Sequence, residues 1–239
     1  MIFYFIRHAD PIYVPNSLTP LGERQAEAVA KRLALYGLDK IYSSPSTRAV
    51  MTSRPTCELL KKEAELLDFT DEAHAWRNLT VKTEEGKQSW MFHHKKHRLL
   101  LTDPSMLALG HRWFDHPEIK DYGFETEINR IYDGTDKLFA SLGFEHDRYT
   151  GRYKVTDVPY ERVALFAHQG FGLAFLSCIT DIPYPMFCTH FDTTHTGVTV
   201  IEFKNYESGF TSPRCLCLSD MSHLYKYGPD MIFENRWEL

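Results

Sequence analysis

The chain has 239 residues, long for one domain and short for two, which points to a single domain over residues 1–239 with a sizeable insertion. Hydrophobic residues at 43% and charged residues at 25% are ordinary for a soluble globular protein. A net charge of −5 argues against nucleic-acid and anionic-membrane partners, both of which reward a basic surface, so any phosphate site has to be a local basic pocket. The cysteines are Cys57, Cys178, Cys188, Cys215 and Cys217, an odd number, and Cys215-x-Cys217 is neither a zinc knuckle nor a CxxC redox pair. A reducing cytoplasm is the plain reading. Residues 1–6 are apolar but meet Arg7 and His8 at once, too short for a secretion signal or a membrane span.

Residues 2–6 form an uninterrupted apolar run, the pattern of a strand buried on both faces, and it ends at Arg7-His8-Ala9-Asp10. After a polar loop punctuated by Pro11 and Pro15, Thr19 reads as the N-cap of a helix with Pro20 in its first position. Ala26, Val29, Ala30 and Leu33 mark the buried stripe of that helix, and Gly37 its stop. Lys40-Ile41-Tyr42-Ser43-Ser44 reads as a second strand, Ser46-Thr47-Arg48 as the start of a second helix, and Glu65-Leu66-Leu67-Asp68 as a third strand followed by a turn at Thr70-Asp71-Glu72. Strand–loop–helix alternation of this kind predicts a parallel sheet with helical crossovers.

Residues 73–122 lack a sustained period and hold Trp76, Trp90, Trp113 and the run His93-His94-Lys95-Lys96-His97; they read as an inserted subdomain or lid. Helical spacing returns at Ile128, Ile131, Leu138 and Phe139. Arg162-Val163-Ala164-Leu165-Phe166-Ala167 is a second apolar strand that ends in a histidine, His168, and leads into a buried helix over residues 171–179. Residues 197–203 read as a further strand. The predicted fold is a three-layer α/β/α sandwich with a mainly parallel sheet.

Two buried strands thus each deliver a histidine at the C-terminal end, the edge where open α/β sheets bind ligands. Arg7 sets a guanidinium beside His8, and Arg48 supplies another at a helix start, so together they suit a dianionic phosphoryl group. A neutral imidazole can attack phosphorus in line while the fixed cations offset charge on the equatorial oxygens.

At these residues the sequence resembles the histidine phosphatase superfamily, the phosphoglycerate-mutase-like group. The resemblance is carried by Phe5-Ile6-Arg7-His8-Ala9, by Leu18-Thr19-Pro20-Leu21-Gly22-Glu23-Arg24-Gln25-Ala26 and by Ile41-Tyr42-Ser43-Ser44-Pro45-Ser46-Thr47-Arg48-Ala49. The strand ending at His168 and the later Thr196-Gly197-Val198-Thr199 add to it. It implies that His8 is phosphorylated and that Arg7, Arg48 and His168 hold the phosphoryl group. It also implies a proton donor after the third strand, Glu72, with Asp71 as the competitor one residue away. In another branch of the family the acid follows the second histidine, where this chain has Gln169, which cannot titrate. Asn16, in the loop after His8, is expected to add a phosphate contact. Ala9 stands where the family has glycine, a change tolerated unless the backbone there needs φ > 0.

The implied activity is hydrolysis of a small phosphorylated substrate with no metal and no organic cofactor. A phosphomutase, or a non-catalytic phospho-ligand or protein-binding module with a retained pocket, are the alternatives, and the oligomeric state stays open. Two further readings concern histidines. His93 and His97 would be i, i+4 neighbours on a helix, a metal-ligand spacing, but the adjoining lysines favour a solvated basic face. His195 and His223 either approach the pocket or are structural.

Overall fold

The structure, a computed structural model, describes residues 1–225. From the N-terminus, β1 (Ile2–Arg7) leads through the hairpin β2 (Pro11–Ile12) and β3 (Ser17–Leu18) into α1 (Pro20–Tyr36), β4 (Lys40–Ser43), α2 (Thr47–Leu60) and β5 (Glu65–Leu66). Next come α3 (Glu72–Asn78), the hairpin β6 (Thr80–Lys82) and β7 (Gln88–Trp90), α4 (Lys95–Leu101) and α5 (Pro104–Leu107). Then α6 (Phe124–Ser141) is followed by β8 (Phe144–Asp147), β9 (Arg152–Val155), β10 (Arg162–Ala167) and α7 (Gln169–Thr180). The remaining elements are α8 (Tyr184–His190), β11 (Val198–Glu202), β12 (Phe210–Thr211), β13 (Arg214–Asp220) and α9 (Ser222–Tyr225).

The main sheet has the order β13-β11-β1-β10-β4-β5. The pairs β1–β10, β10–β4 and β4–β5 are parallel, whereas β11 runs antiparallel to β1, and β13 to β11. Side chains alternate across the sheet with a period of two. On one face Phe3 and Phe5 of β1 and Val163 and Leu165 of β10 join Ile128, Ile131 and Phe139 of α6 and Phe175 of α7 in one core. On the other face Tyr4, Ile6, Ala164 and Phe166 pack with Val29 and Leu33 of α1. Both faces of the central strands are therefore covered by helices, which is why their sequences carry no polar alternation.

Helix α1 begins and ends as its sequence predicts. Thr19 accepts the Gly22 N–H at 3.0 Å, Pro20 holds the first turn, and Gly37 stops the helix at φ 68°. The third strand is shorter than its apolar run predicts: it ends at Leu66, because the Asp71 N–H bonds the Asp68 carbonyl at 3.1 Å and closes a 3-10 turn over Asp68–Thr70. The sheet β12-β9-β8 and the edge strand β13 escape the sequence patterns. Their residues are largely polar or exposed, so pairing partners and not a buried stripe define them.

Residues 72–122 fold onto the body of the protein. Leu79, Val81, Met91, Phe92, Leu101 and Trp113 belong to the same core as Phe3 and Phe5. No helix among the described residues is long and apolar enough to cross a membrane.

Candidate active site

The parallel register places Arg7 level with Ala167, so the next residues, His8 and His168, leave the sheet side by side, their ring centroids 5.1 Å apart. The backbone bond from the His8 N–H to the Ala167 carbonyl, 2.8 Å, locks that height. One strand further on, Ser44 follows β4 and donates its N–H to the Phe166 carbonyl at 2.8 Å, and Arg48 follows in the first turn of α2. Beyond β5 the chain reaches Asp71 and Glu72 at the start of α3. Four adjacent parallel strands thus discharge their C-terminal ends at a cavity of about 710 Å³ lined by Arg7, His8, Asn16, Arg48 and Glu72.

His8 is buried, and its Nδ1 lies 2.7 Å from the Ala9 carbonyl. A carbonyl only accepts, so Nδ1 carries the proton and Nε2 keeps its lone pair. Burial first, then the charges of His168, Arg7 and Arg48, push the His8 pKa well below 6.5, so the ring is neutral at neutral pH. The loop is clamped by the second sequence block: Thr19 donates to Asp10 Oδ2 at 2.6 Å, and the Asp10 N–H bonds Gln25 Oε1 at 2.9 Å. Gly22 is required because a Cβ there would collide with the Asp10 carbonyl. Ala9 is fully buried, its N–H bonds Thr52 Oγ1 at 3.0 Å, and it is not among the residues with positive φ, so no glycine is demanded.

The cations around His8 keep unused donors. Arg7 gives Nη1 to the Thr193 carbonyl at 2.6 Å, while its buried Nε has no protein partner. Arg48 reaches Ser46 Oγ at 3.0 Å and Asn16 Oδ1 at 3.4 Å, and its Nε is likewise unpartnered. Asn16 also accepts the Arg48 N–H at 3.3 Å and donates to Ser46 Oγ at 3.0 Å, so its position beside Arg48 is set by both. His168 is fully buried with Nε2 2.7 Å from Ser44 Oγ and Nδ1 unpartnered, and burial with Arg48 and Arg7 depresses its pKa well below 6.5. Buried donors without partners are costly, and the two free guanidinium Nε–H groups at one cavity suit an anion.

Asp71 and Glu72 do different work. Asp71 Oδ1 accepts the Ala73 N–H at 3.0 Å, an N-cap of its own helix. Glu72 reaches across to the start of α7, where Oε1 accepts the Gly170 N–H at 2.9 Å and Oε2 the Phe171 N–H at 3.0 Å. Burial raises the Glu72 pKa above its ordinary value, and the two backbone bonds with Arg48 and Arg7 pull against it. The far end of α3 and the turn before it are tied to α6: Asn78 donates to the buried Glu127 at 3.1 Å, and Arg130 bonds both Glu127 and the Phe69 carbonyl.

All six sequence-predicted residues therefore meet at the cavity or its floor, although the motifs lie as far apart as residues 7 and 168. Others join them, among them His195, whose approach to the pocket the sequence leaves open. The His195 ring lies 5.5 Å from the His8 ring, tilted by 33°, with its Nδ1 3.6 Å from Asp10 Oδ1. Tyr13, Trp76 and Trp90 line the cavity. Gln169 bonds Asp192 at 2.5 Å. His223 does not line the cavity; it packs against Thr196 Oγ1 at 3.1 Å, a structural position.

The helical reading of the histidine run is corrected. Helix α4 starts at Lys95 with His94 at its N-cap, so His93 lies outside it and is not an i, i+4 helical neighbour of His97. His97 turns inward, 2.8 Å from His94 Nδ1. Among the described residues one grouping has ligand atoms close enough for a metal, Asp136, His146 and Cys178. There Arg148 Nε already occupies Asp136 Oδ2 at 2.6 Å, and Cys178 sits toward the far end of α7 from the cavity.

The buried histidines have a consequence for stability. The pKa values of His8 and His168 lie well below 6.5, that of His195 is lowered to about 3 and that of His223 to about 4, each chiefly by burial. As pH falls below 6.5 the unfolded chain takes up these protons before the folded one, so stability is lost, at ~1.4 kcal/mol per pH unit for each histidine. Urea unfolding midpoints should fall steeply from pH 6.5 to about pH 4.5, and His223→Asn should flatten the dependence. A midpoint constant across that range would show that these rings accept protons in the folded state.

The comparisons with known proteins come to the same fold. No curated protein matches the sequence. Among solved structures, a phosphoserine phosphatase of Entamoeba histolytica, in complex with 3-phosphoglyceric acid, is 19% identical with a TM-score of 0.57, covering 93% of this chain and 98% of that one. A mycobacterial glucosyl-3-phosphoglycerate phosphatase is 18% identical with a TM-score of 0.58, covering 91% and 98%. An alpha-ribazole phosphatase of Shigella flexneri is 18% identical with a TM-score of 0.55, covering 92% and 96%. The family model described as histidine phosphatase superfamily, branch 1, matches residues 3–112, so the stretch from β1 through Arg48 and Glu72 carries the pattern of that superfamily.

Proposed function

We propose that this chain hydrolyses phosphate monoesters through a phosphohistidine on His8 Nε2. The observation that carries the reading is the bond from His8 Nδ1 to the Ala9 carbonyl, which leaves a neutral ring with its lone pair on Nε2 in a cavity that also holds Arg7 and Arg48. In the first step Nε2 bonds to phosphorus, the phosphorus–oxygen bond to the alcohol breaks, and Glu72 gives its proton to the departing oxygen. The positive charge that develops on the ring is met at Nδ1–H by the Ala9 carbonyl. Arg7, Arg48 and His168 hold the equatorial oxygens, with Asn16 orienting Arg48. In the second step Glu72 takes a proton from water, the water oxygen bonds to phosphorus, and the nitrogen–phosphorus bond breaks to release phosphate and neutral His8.

A mutase has to retain a doubly phosphorylated species, and one phosphoryl group already engages both guanidinium groups of the cavity, which favours hydrolysis. Those guanidinium groups supply the charge that a metal would otherwise bring, so the proposed reaction needs no metal or organic cofactor. The proposed setting is a reducing cytoplasm, in keeping with cysteines that are all free.

The test is to trap the intermediate. A radiolabelled phosphate ester mixed with the enzyme in EDTA and quenched in alkali, where phosphohistidine survives, should leave label on His8. Label on another residue, or steady turnover without any label, would remove the mechanism. Activity lost in EDTA and restored by a divalent ion would remove its metal independence.

A further inference from the structure

We propose that the alcohol portion of the substrate is uncharged and presents a flat apolar body, received by the rings of Tyr13, Trp76 and Trp90. The inference rests on the phosphomonoesterase reading above and names the substrate class for that site.

The cavity volume of about 710 Å³ is that of a small-molecule site, so a phosphoryl group alone would leave most of it unused. Among the described residues, the positive charges on its lining are Arg7 and Arg48, and both stand at the His8 end. Tyr13, Asp71 and Glu72 stand on the Arg48 side, and beyond them the wall consists of Ala73, Trp76 and Trp90. A substrate carboxylate or second phosphate would leave water for this wall with no cation to pair it and Asp71 to repel it. An uncharged group meets neither penalty.

The rings also point to a flat partner. Trp90 is fixed in place: it stacks on Phe92 with centroids 5.6 Å apart and planes 12° apart, and Trp76 meets it edge-on at 5.0 Å. Its six-membered ring fills the space that a Cβ on residue 170 would need, so Gly170 lets the indole lie directly over the N–H that holds Glu72. Tyr13 covers the Arg48 guanidinium at 5.6 Å. Trp76 is 37% exposed and Tyr13 65% exposed, large aromatic surfaces left in water at the cavity, where a planar group can stack on them.

The test uses esters whose departing oxygens are all alkyl, so that leaving-group acidity does not decide the outcome. These are 2-naphthylmethyl phosphate, ethyl phosphate, choline phosphate and 3-phosphoglycerate, with 4-nitrophenyl phosphate as the check of basic activity. The expected result is a kcat/KM for the naphthylmethyl ester roughly tenfold or more above each of the other alkyl esters, as stacking on an aromatic platform supplies. In Trp76→Ala the ratio of naphthylmethyl to ethyl ester should fall by roughly tenfold, mostly through KM, and Trp76→Phe should restore much of it. Preferred turnover of 3-phosphoglycerate or choline phosphate, or an unchanged ratio in a folded Trp76→Ala, would overturn the inference and leave the phosphatase reading intact. No hydrolysis of any ester, 4-nitrophenyl phosphate included, would overturn the phosphatase reading and this inference with it.

Discussion

His8→Ala should lower kcat/KM for phosphate esters by roughly three orders of magnitude or more, while the protein keeps its fold. The size follows from the role: without Nε2 the proposed covalent route is closed, and water must attack the ester directly. The fold should survive because the loop is held by other groups. The bonds from the His8 N–H to Ala167 and from Ala9 to Thr52 involve the backbone on the loop side, and the clamp from Thr19 and Gln25 acts on Asp10. Thermal melting measured beside the kinetics separates the two roles. Lost activity with a nearly unchanged melting temperature supports the nucleophile. Activity that persists in the folded variant would end the phosphohistidine reading.

The next largest effect concerns Glu72. With an alkyl phosphate the departing oxygen is strongly basic and needs a proton, so Glu72→Gln should cost roughly 10²–10⁴ in kcat. With an aryl phosphate of an acidic phenol it should cost roughly tenfold at most, because that oxygen leaves as an anion. Glutamine keeps an acceptor for one of the two N–H groups at the start of α7, so part of the cap on that helix remains. The contrast between esters is what a merely structural carboxylate would not show. Equal losses across the series would mean that Glu72 shapes the site through Gly170 and Phe171 without moving a proton. Asp71→Asn is the companion variant: asparagine caps a helix about as well as aspartate, so stability and the leaving-group dependence should both stay near those of the native protein. A steep dependence there would transfer the role to Asp71.

The two carboxylates also show where sequence reasoning stops. Both follow the third strand, and nothing local distinguishes them; the difference is that one caps its own helix while the other reaches residues 170 and 171. What sequence alone determined is the part of the molecule written in local chemistry. The apolar runs before His8 and His168 are legible because strands buried on both faces tolerate no polar interruption. The Thr19 cap and the Gly37 stop are legible because helix ends leave groups that need particular residues. Those features suffice for the layered fold, for placing Arg7, His8 and His168 at strand ends and for placing Arg48 at a helix start.

Tertiary structure decided what depends on partners distant in the chain. His195 stands beside His8 because β11 pairs antiparallel with β1, a choice of register with no signature in the residues around His195. Trp76 and Trp90 look like any buried aromatics in a segment without period, and only the close approach of Trp90 to Gly170 brings them to the cavity. His93 and His97 have helical spacing, yet the helix starts two residues too late to use it. In each case the deciding energy is packing or pairing between segments many residues apart, and a local pattern cannot carry it because neither segment alone specifies which surface it will meet.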